Sequence, residues 1–221
     1  MTSAAAFPQT TGPLQLQGAA GAIEAVVEWP AGELKRDVVG VVCHPHPLHG
    51  GTMANKVVTS AAQALRELGC ATLRFNFRGV GGSAGEHDDG IGEGADLVAI
   101  CDWVRATRPT ARLVLAGFSF GAYVSMMRAA DLRPDLLISL APAVGFRDFS
   151  GFREPGCPWL VIQPEADEVV DPAAVHAWMA DRHPPPTLLR FDGASHFFHG
   201  RLLALREAIA QFVEPRLPPL A

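Results

Sequence analysis

Gly117-Phe118-Ser119-Phe120-Gly121 follows the apolar run Leu113–Ala116 and opens a helical pattern over about Ala122–Ala130. A sharp strand-to-helix turn forces its central residue into strained dihedrals and brings neighbouring backbones together, so neither flank has room for a Cβ. The turn lifts the Ser119 hydroxyl off the sheet at a helix N-terminus, where free amides favour developing negative charge. The five-residue pattern G-x-S-x-G is common by chance, and an ordinary βα turn with two glycines is its bland alternative. The strand before it and the helix after it give it weight.

Outward from this turn, strands and helices alternate. Upstream lie strand Arg112–Ala116, an amphipathic helix near Gly92–Ala106, the glycine-rich turn Arg78–Gly85, strand Cys70–Phe77, helix Asn55–Leu68 and strand Val38–Cys43. Leu14–Gln17 and Ile23–Trp29, joined by Gly18-Ala19-Ala20-Gly21, read as a β-hairpin. Downstream come strand Leu136–Leu140, strand Trp159–Gln163, helix Ala173–Asp181, strand Thr187–Phe191 and helix Arg201–Glu214. Strands separated by helices of about ten residues predict right-handed crossovers and a mostly parallel sheet covered on both faces, an α/β fold. Residues 1–13 read as a flexible leader and 14–221 as one domain.

The 221 residues carry 18 Lys+Arg against 23 Asp+Glu, a formal charge of −5. That balance argues against nucleic-acid binding, which needs a basic patch to neutralise phosphates. Hydrophobic residues make up 48% and charged ones 19%, which excludes a disordered chain. No window approaches the run of apolar residues a membrane span requires. No Lys or Arg precedes Lys35, so the basic region of a signal peptide is missing and the expected address is the cytoplasm. Cys43, Cys70 and Cys101 lie in or beside apolar runs and read as buried thiols; the fourth cysteine is Cys157.

A serine nucleophile needs a base to take its proton and an acid to orient that base. Carboxylates follow strand Trp159–Gln163, at Glu165, Asp167 and Asp171, and histidines follow strand Thr187–Phe191, at His196 and His199. Asp171 precedes Pro172 and the helix after it, which makes it a candidate N-cap. Glu165 reads as solvated, and His199 sits beside Gly200 at the start of the last helix.

With the order Ser, acid, His in place, the chain resembles the α/β-hydrolase superfamily, and within it small capless bacterial serine hydrolases of esterase type. The resemblance spans nearly the whole chain. It implies the α/β-hydrolase fold and a catalytic set of Ser119, Asp167 and His196. Asp167 falls at the acid position of the family's G-x-x-D-x-x-V loop, with Pro164 where many members have glycine. His196 matches the histidine that follows small residues.

The resemblance also implies an oxyanion hole made by the N–H of Phe120 and of a residue in Cys43-His44-Pro45-His46-Pro47-Leu48-His49-Gly50-Gly51. Pro45 and Pro47 have no N–H, which leaves His46 as the aligned donor and Leu48 as the second choice. Leu48, Phe118 and Phe197 are the expected pocket residues, with Phe120 and Phe198 nearby; the alternative is that these aromatics simply pack the core. His44, His46 and His49 imitate a metal cluster, but two prolines break the regular spacing and no acidic or cysteine ligand joins them, so no metal and no cofactor are expected. His44 is expected to make a structural hydrogen bond at its strand end.

Gly79, Gly81 and Ala84 mimic a dinucleotide fingerprint, yet Glu86-His87-Asp88-Asp89 follows, which repels a pyrophosphate. The turn instead resembles the R-G-x-G-x-S scaffold of hydrolases, its arginine buttressing neighbouring loops. The stretch from Gly145 to Pro158 is too short for a cap domain, so an open site acting on small carboxylic esters is expected. Thioesters, a peptidase-type acyl transfer and a non-catalytic binding role are the alternatives. The expected partner is a small-molecule ester substrate, with no nucleic acid and no membrane; the sequence leaves the oligomeric state open.

Overall fold

The computed structural model describes residues 6–32 and 35–220. Its strands are β1 (Gly12–Gly18), β2 (Gly21–Glu28), β3 (Val38–Cys43), β4 (Ala71–Phe75), β5 (Arg112–Phe118), β6 (Leu136–Leu140), β7 (Trp159–Pro164) and β8 (Thr187–Phe191). Its helices are α1 (Lys56–Glu67), α2 (Ile91–Thr107), α3 (Phe120–Leu132), α4 (Pro172–Ala180) and α5 (Leu202–Val213). The described strands form one sheet in the order β1-β2-β4-β3-β5-β6-β7-β8. The hairpin β1–β2 joins it antiparallel, and the pairs from β4 to β8 are parallel.

Alternation along the central strands builds two cores. On β3, Val39, Val41 and Cys43 face the layer of α2, α3 and α4, whereas Val38 and Val42 face α1 and α5. On β5, Leu113 and Leu115 join the first layer, and Val114, Ala116 and Phe118 the second. Both faces are therefore apolar, as a buried parallel sheet demands. The strand order reverses between β3 and β5, because β4 lies on one side of β3 and β5 on the other. The crevice at the carboxyl ends of such a pair is where open α/β sheets bind ligands. These two strands lead into the His44–Gly51 loop and Ser119.

Three details differ from the sequence reading. The leader expected over residues 1–13 is pinned from Phe7 onward. That ring is buried, stacks on Trp103 at 5.3 Å and meets Trp29 edge-on at 5.9 Å, and β1 already begins at Gly12; residues 1–5 of the expected leader lie outside the described residues. Strand β4 stops at Phe75, not Phe77, because Asn76 and Phe77 turn to other partners: the Asn76 amide donates to Glu24 and the Phe77 N–H to His44. Strand β5 runs on to Phe118 and α3 starts at Phe120, so the turn between them is the single residue Ser119.

Cys43, Cys70 and Cys101 are buried free thiols, and burial pushes them up, the latter two to about 12, which leaves them protonated and inert. Cys157 is half-buried.

Candidate active site

Ser119 holds φ 54° and ψ −113°, a region an L-residue occupies only under constraint. Its N–H donates to Leu140 O at 2.9 Å, and its carbonyl accepts from Tyr123 N at 3.1 Å, tying the turn to β6 and to α3. Close approach explains both glycines. A Cβ on Gly117 would lie 2.2 Å from Gly121 O, and one on Gly121 would lie 2.5 Å from both Cys43 O and His44 O. These neighbours are backbone and cannot swing aside. Gly121→Ala is accordingly expected to destabilise the fold by about 2–3 kcal/mol. In a thermal melt this corresponds to a fall in Tm of about 5–10 °C; an unchanged melting curve would show that the two backbones are not held in contact.

The acid loop follows β7 and the histidine loop follows β8. Asp167 is fully buried at its side chain, and its Oδ1 accepts from the N–H groups of Val169 and Val170, both at 2.8 Å. His196 Nδ1 lies 3.0 Å from Oδ1 and 2.8 Å from Oδ2, and Gln163 Nε2 donates to Oδ2 at 3.3 Å. Burial alone raises the Asp167 carboxyl, but the hydrogen bonds from His196, Val170 and Val169 outweigh it, and the group sits below its ordinary range. His196 is 2% exposed, and its ring lies 5.0 Å from that of Phe118 and 5.1 Å from that of Phe197.

The competing carboxylates and histidine have other employment. Asp171 caps α4, accepting from Ala173 N at 3.0 Å. Glu165, expected to be solvated, instead contacts His176 Nε2 at 2.8 Å and pins its loop to α4. His199 contacts Ser195 Oγ at 3.3 Å. Glu168 is an addition that the sequence did not signal: its carboxylate accepts the backbone N–H of His196 at 3.0 Å.

Ser119 and His196 line one cavity of about 430 Å³, together with Pro45, His46, His49, Gly50, Gly51, Asn55, Val169 and Phe197. Phe197 thus borders it as expected, whereas two other pocket assignments need correction. Leu48 is 71% exposed and lines a different cavity with Arg78 and His87; its backbone nitrogen lies 3.2 Å from the His46 ring, not over Ser119. Two prolines flanking His46 wind this loop into a short 3-10 turn over Pro47–His49, which rotates Leu48 outward. Phe118 is fully buried beneath His196, on the α1/α5 side of the sheet, because alternation along β5 sends it there. A cavity of about 470 Å³ beside Cys157 and Pro184 lies at the opposite ends of β7 and β8, away from this chemistry.

The surroundings are scaffold. His44 is fully buried and neutral, since burial lowers it to about 4. Its Nε2 accepts from Phe77 N at 2.9 Å and its Nδ1 donates to Pro45 O at 2.6 Å. Arg78 grips Asp96 through two bonds of 2.9 and 3.0 Å, and Ser83 bridges Asn76 O and Glu24 N. The stretch after β6 lies down on α4, with the rings of Phe149 and Phe152 each 4.9 Å from that of Trp178. Arg147 in the same stretch turns the other way, toward His46 and Phe120, and no sequence signal marked it. Among the described residues, no helix is long and apolar enough to cross a membrane, and no group of three or more His, Cys, Asp or Glu is placed to hold a metal ion.

Known proteins match this architecture closely. The family model for X-Pro dipeptidyl-peptidase (S15 family) matches residues 22–169. An uncharacterized protein of Rickettsia prowazekii is 34% identical over 186 residues, 79% of this chain and 78% of that protein. An α/β serine hydrolase without lid from Xanthomonas campestris is 50% identical with a TM-score of 0.94, covering 97% of this chain and 99% of that one. An α/β serine hydrolase homologue from Coxiella burnetii is 46% identical with a TM-score of 0.89, covering 93% and 99%.

Proposed function

The chain belongs to the X-Pro dipeptidyl-peptidase (S15) family of the α/β-hydrolase superfamily, and from that premise we propose that it is a serine hydrolase cleaving small carboxylic esters through an acyl-enzyme. The observation that carries the proposal is the buried Asp167–His196 pair, which brings its imidazole to the wall of the cavity that also holds the strained Ser119. In this reading His196 takes the Ser119 proton as Oγ attacks the acyl carbonyl. Asp167 keeps the proton on Nδ1, so that Nε2 is the acceptor, and stabilises the imidazolium that results. The N–H groups of Phe120 and His46 receive the oxyanion. His196 then protonates the leaving alcohol, and a water activated by the same imidazole releases the acid.

The lining of the cavity supports an ester over a peptide. None of its ten lining residues carries a carboxylate that would hold the ammonium group of a peptide N-terminus. The peptidase reading keeps the support of the family match, and an acyl thioester needs the same machinery as an ester. The free thiols agree with the reducing cytoplasm, where we place the protein.

A fluorophosphonate probe combined with a substrate panel tests this. Wild type is expected to be labelled at Ser119 and to hydrolyse short p-nitrophenyl esters at least tenfold more efficiently than an X-Pro p-nitroanilide. A folded protein that takes no label would end the enzyme reading. Preference for the anilide would move the assignment to a peptidase, and preference for acyl thioesters would move it to a thioesterase.

A further inference from the structure

Arg147 stands in the stretch between β6 and β7, about a hundred residues from the His46 loop, and only a fifth of its side chain is exposed. Its guanidinium touches both residues whose backbone amides face the oxyanion in the proposed mechanism, on which this inference rests. One Nη donates to the ring Nε2 of His46, and Cζ lies 5.0 Å from the centroid of the Phe120 ring. The two rings also pack on each other, with centroids 5.0 Å apart. The other Nη donates to Asp89 Oδ1 at 3.0 Å, which fixes the fork from behind.

We infer that Arg147 is a positioning residue that holds the His46 loop against Phe120 and so sets the spacing of the two oxyanion donors. The chemistry suits an arginine. Guanidinium only donates, so it needs an acceptor on the imidazole, and its planar fork serves two partners while its face lies on an aromatic ring. Burial, and then the neighbouring Arg147 charge, lower His46 to about 4, so at neutral pH its ring is uncharged and has one acceptor nitrogen; accepting from Arg147 at Nε2 puts the ring proton on Nδ1. Within the loop Pro45 and Pro47 contribute no N–H, and the turn closes on itself through His49 N and Gly51 N, both donating to His46 O. His44 Nδ1 ties Pro45 O, and Arg147 grips the His46 ring from outside the loop. A donor that drifts by a fraction of an ångström stabilises the tetrahedral intermediate less while leaving ground-state binding alone.

The test measures kcat and KM for p-nitrophenyl acetate in wild type, Arg147→Met, Arg147→Lys and His46→Ala, with the double variant of Arg147→Met and His46→Ala closing the cycle. Loss of an entire oxyanion donor costs about 10²–10³ in kcat, so misplacement of one is expected to cost about 10- to 100-fold. Arg147→Met should lower kcat by that factor with KM within about threefold, and the rate of fluorophosphonate labelling should fall in parallel. Lysine, which cannot fork, should restore only part. His46→Ala keeps the backbone N–H but removes the ring that Arg147 grips, so it should show the same loss, and the double variant should lose little more.

Unchanged kcat in Arg147→Met, or losses that simply multiply in the double variant, would overturn the inference while leaving Ser119 as nucleophile. If Arg147→Met does not fold, His46→Ala decides the matter in its place: full kcat there rejects the role, and the 10- to 100-fold loss upholds it. A wild type with neither turnover nor label removes both this inference and the mechanism beneath it.

Discussion

Ser119→Ala is expected to lower kcat for p-nitrophenyl acetate by about 10⁶, leaving a residue of about 10³–10⁴ over the uncatalysed reaction from the oxyanion donors and substrate binding. The size follows from what is removed. In the proposed mechanism the hydroxyl is the attacking atom, and among the lining residues His46 and His49 are the other groups with a reactive nitrogen, neither paired with an acid as His196 is. Steady-state kinetics beside circular dichroism read the effect, because the variant should fold. Alanine removes one oxygen that faces the cavity and keeps the backbone bonds of residue 119 to Leu140 and Tyr123. Turnover within a hundredfold of wild type would mean that hydrolysis happens elsewhere on the molecule.

Asp167→Asn is expected to cost about 10⁴ in kcat at neutral pH while changing the shape of the site very little. The hydrogen bonds explain why an isosteric change does so much. Oδ1 accepts from both Val169 N and Val170 N, which requires the asparagine carbonyl to occupy that position. The amide nitrogen must then replace Oδ2, 2.8 Å from His196 Nδ1 and 3.3 Å from Gln163 Nε2. It donates to Nδ1, forces the imidazole proton onto Nε2, and so blocks the position that should accept from Ser119. It also opposes the Gln163 donor.

The same substitution reports on stability against pH. The wild-type carboxyl is depressed in the folded state, so its contribution is complete above the ordinary aspartate range near pH 4 and is lost as pH falls through the lower, folded value. Wild type should therefore exceed Asp167→Asn in urea resistance at pH 7, with the gap closing below about pH 4. A gap that is constant with pH would show that the carboxylate draws no stability from its four donors.

What could be read from residues alone was what is local. The elbow is contiguous, and the acid and histidine loops each follow an apolar run of strand length, so their order along the chain places them at one rim of a parallel sheet. Asp171 was legible as a cap because Pro172 follows it. Assignments that depended on the rotation of a single loop were not legible: Leu48 points outward because the turn at Pro47–His49 rotates it, and Phe118 points down because β5 continues two residues further than its apolar run suggested.

Residues whose meaning lies in distant partners were invisible as well. Arg147 meets His46 across 101 positions, and Glu168 meets His196 across 28. Glu165 looked solvated because its partner, His176, lies in the next helix, and periodicity does not specify which face of that helix meets the loop. Phe7 carries no pattern of its own; it is held because Trp29 and Trp103 leave a ring-sized slot at the end of the sheet.

The stretch after β6, whose Phe149 and Phe152 pack on Trp178 of α4, also bears on the acyl-enzyme of the proposed mechanism. In that mechanism an open site leaves the acyl group in contact with the medium, and a small alcohol or amine that diffuses in is expected to compete with water for it. Partition between acid and transferred product should then follow solvent composition.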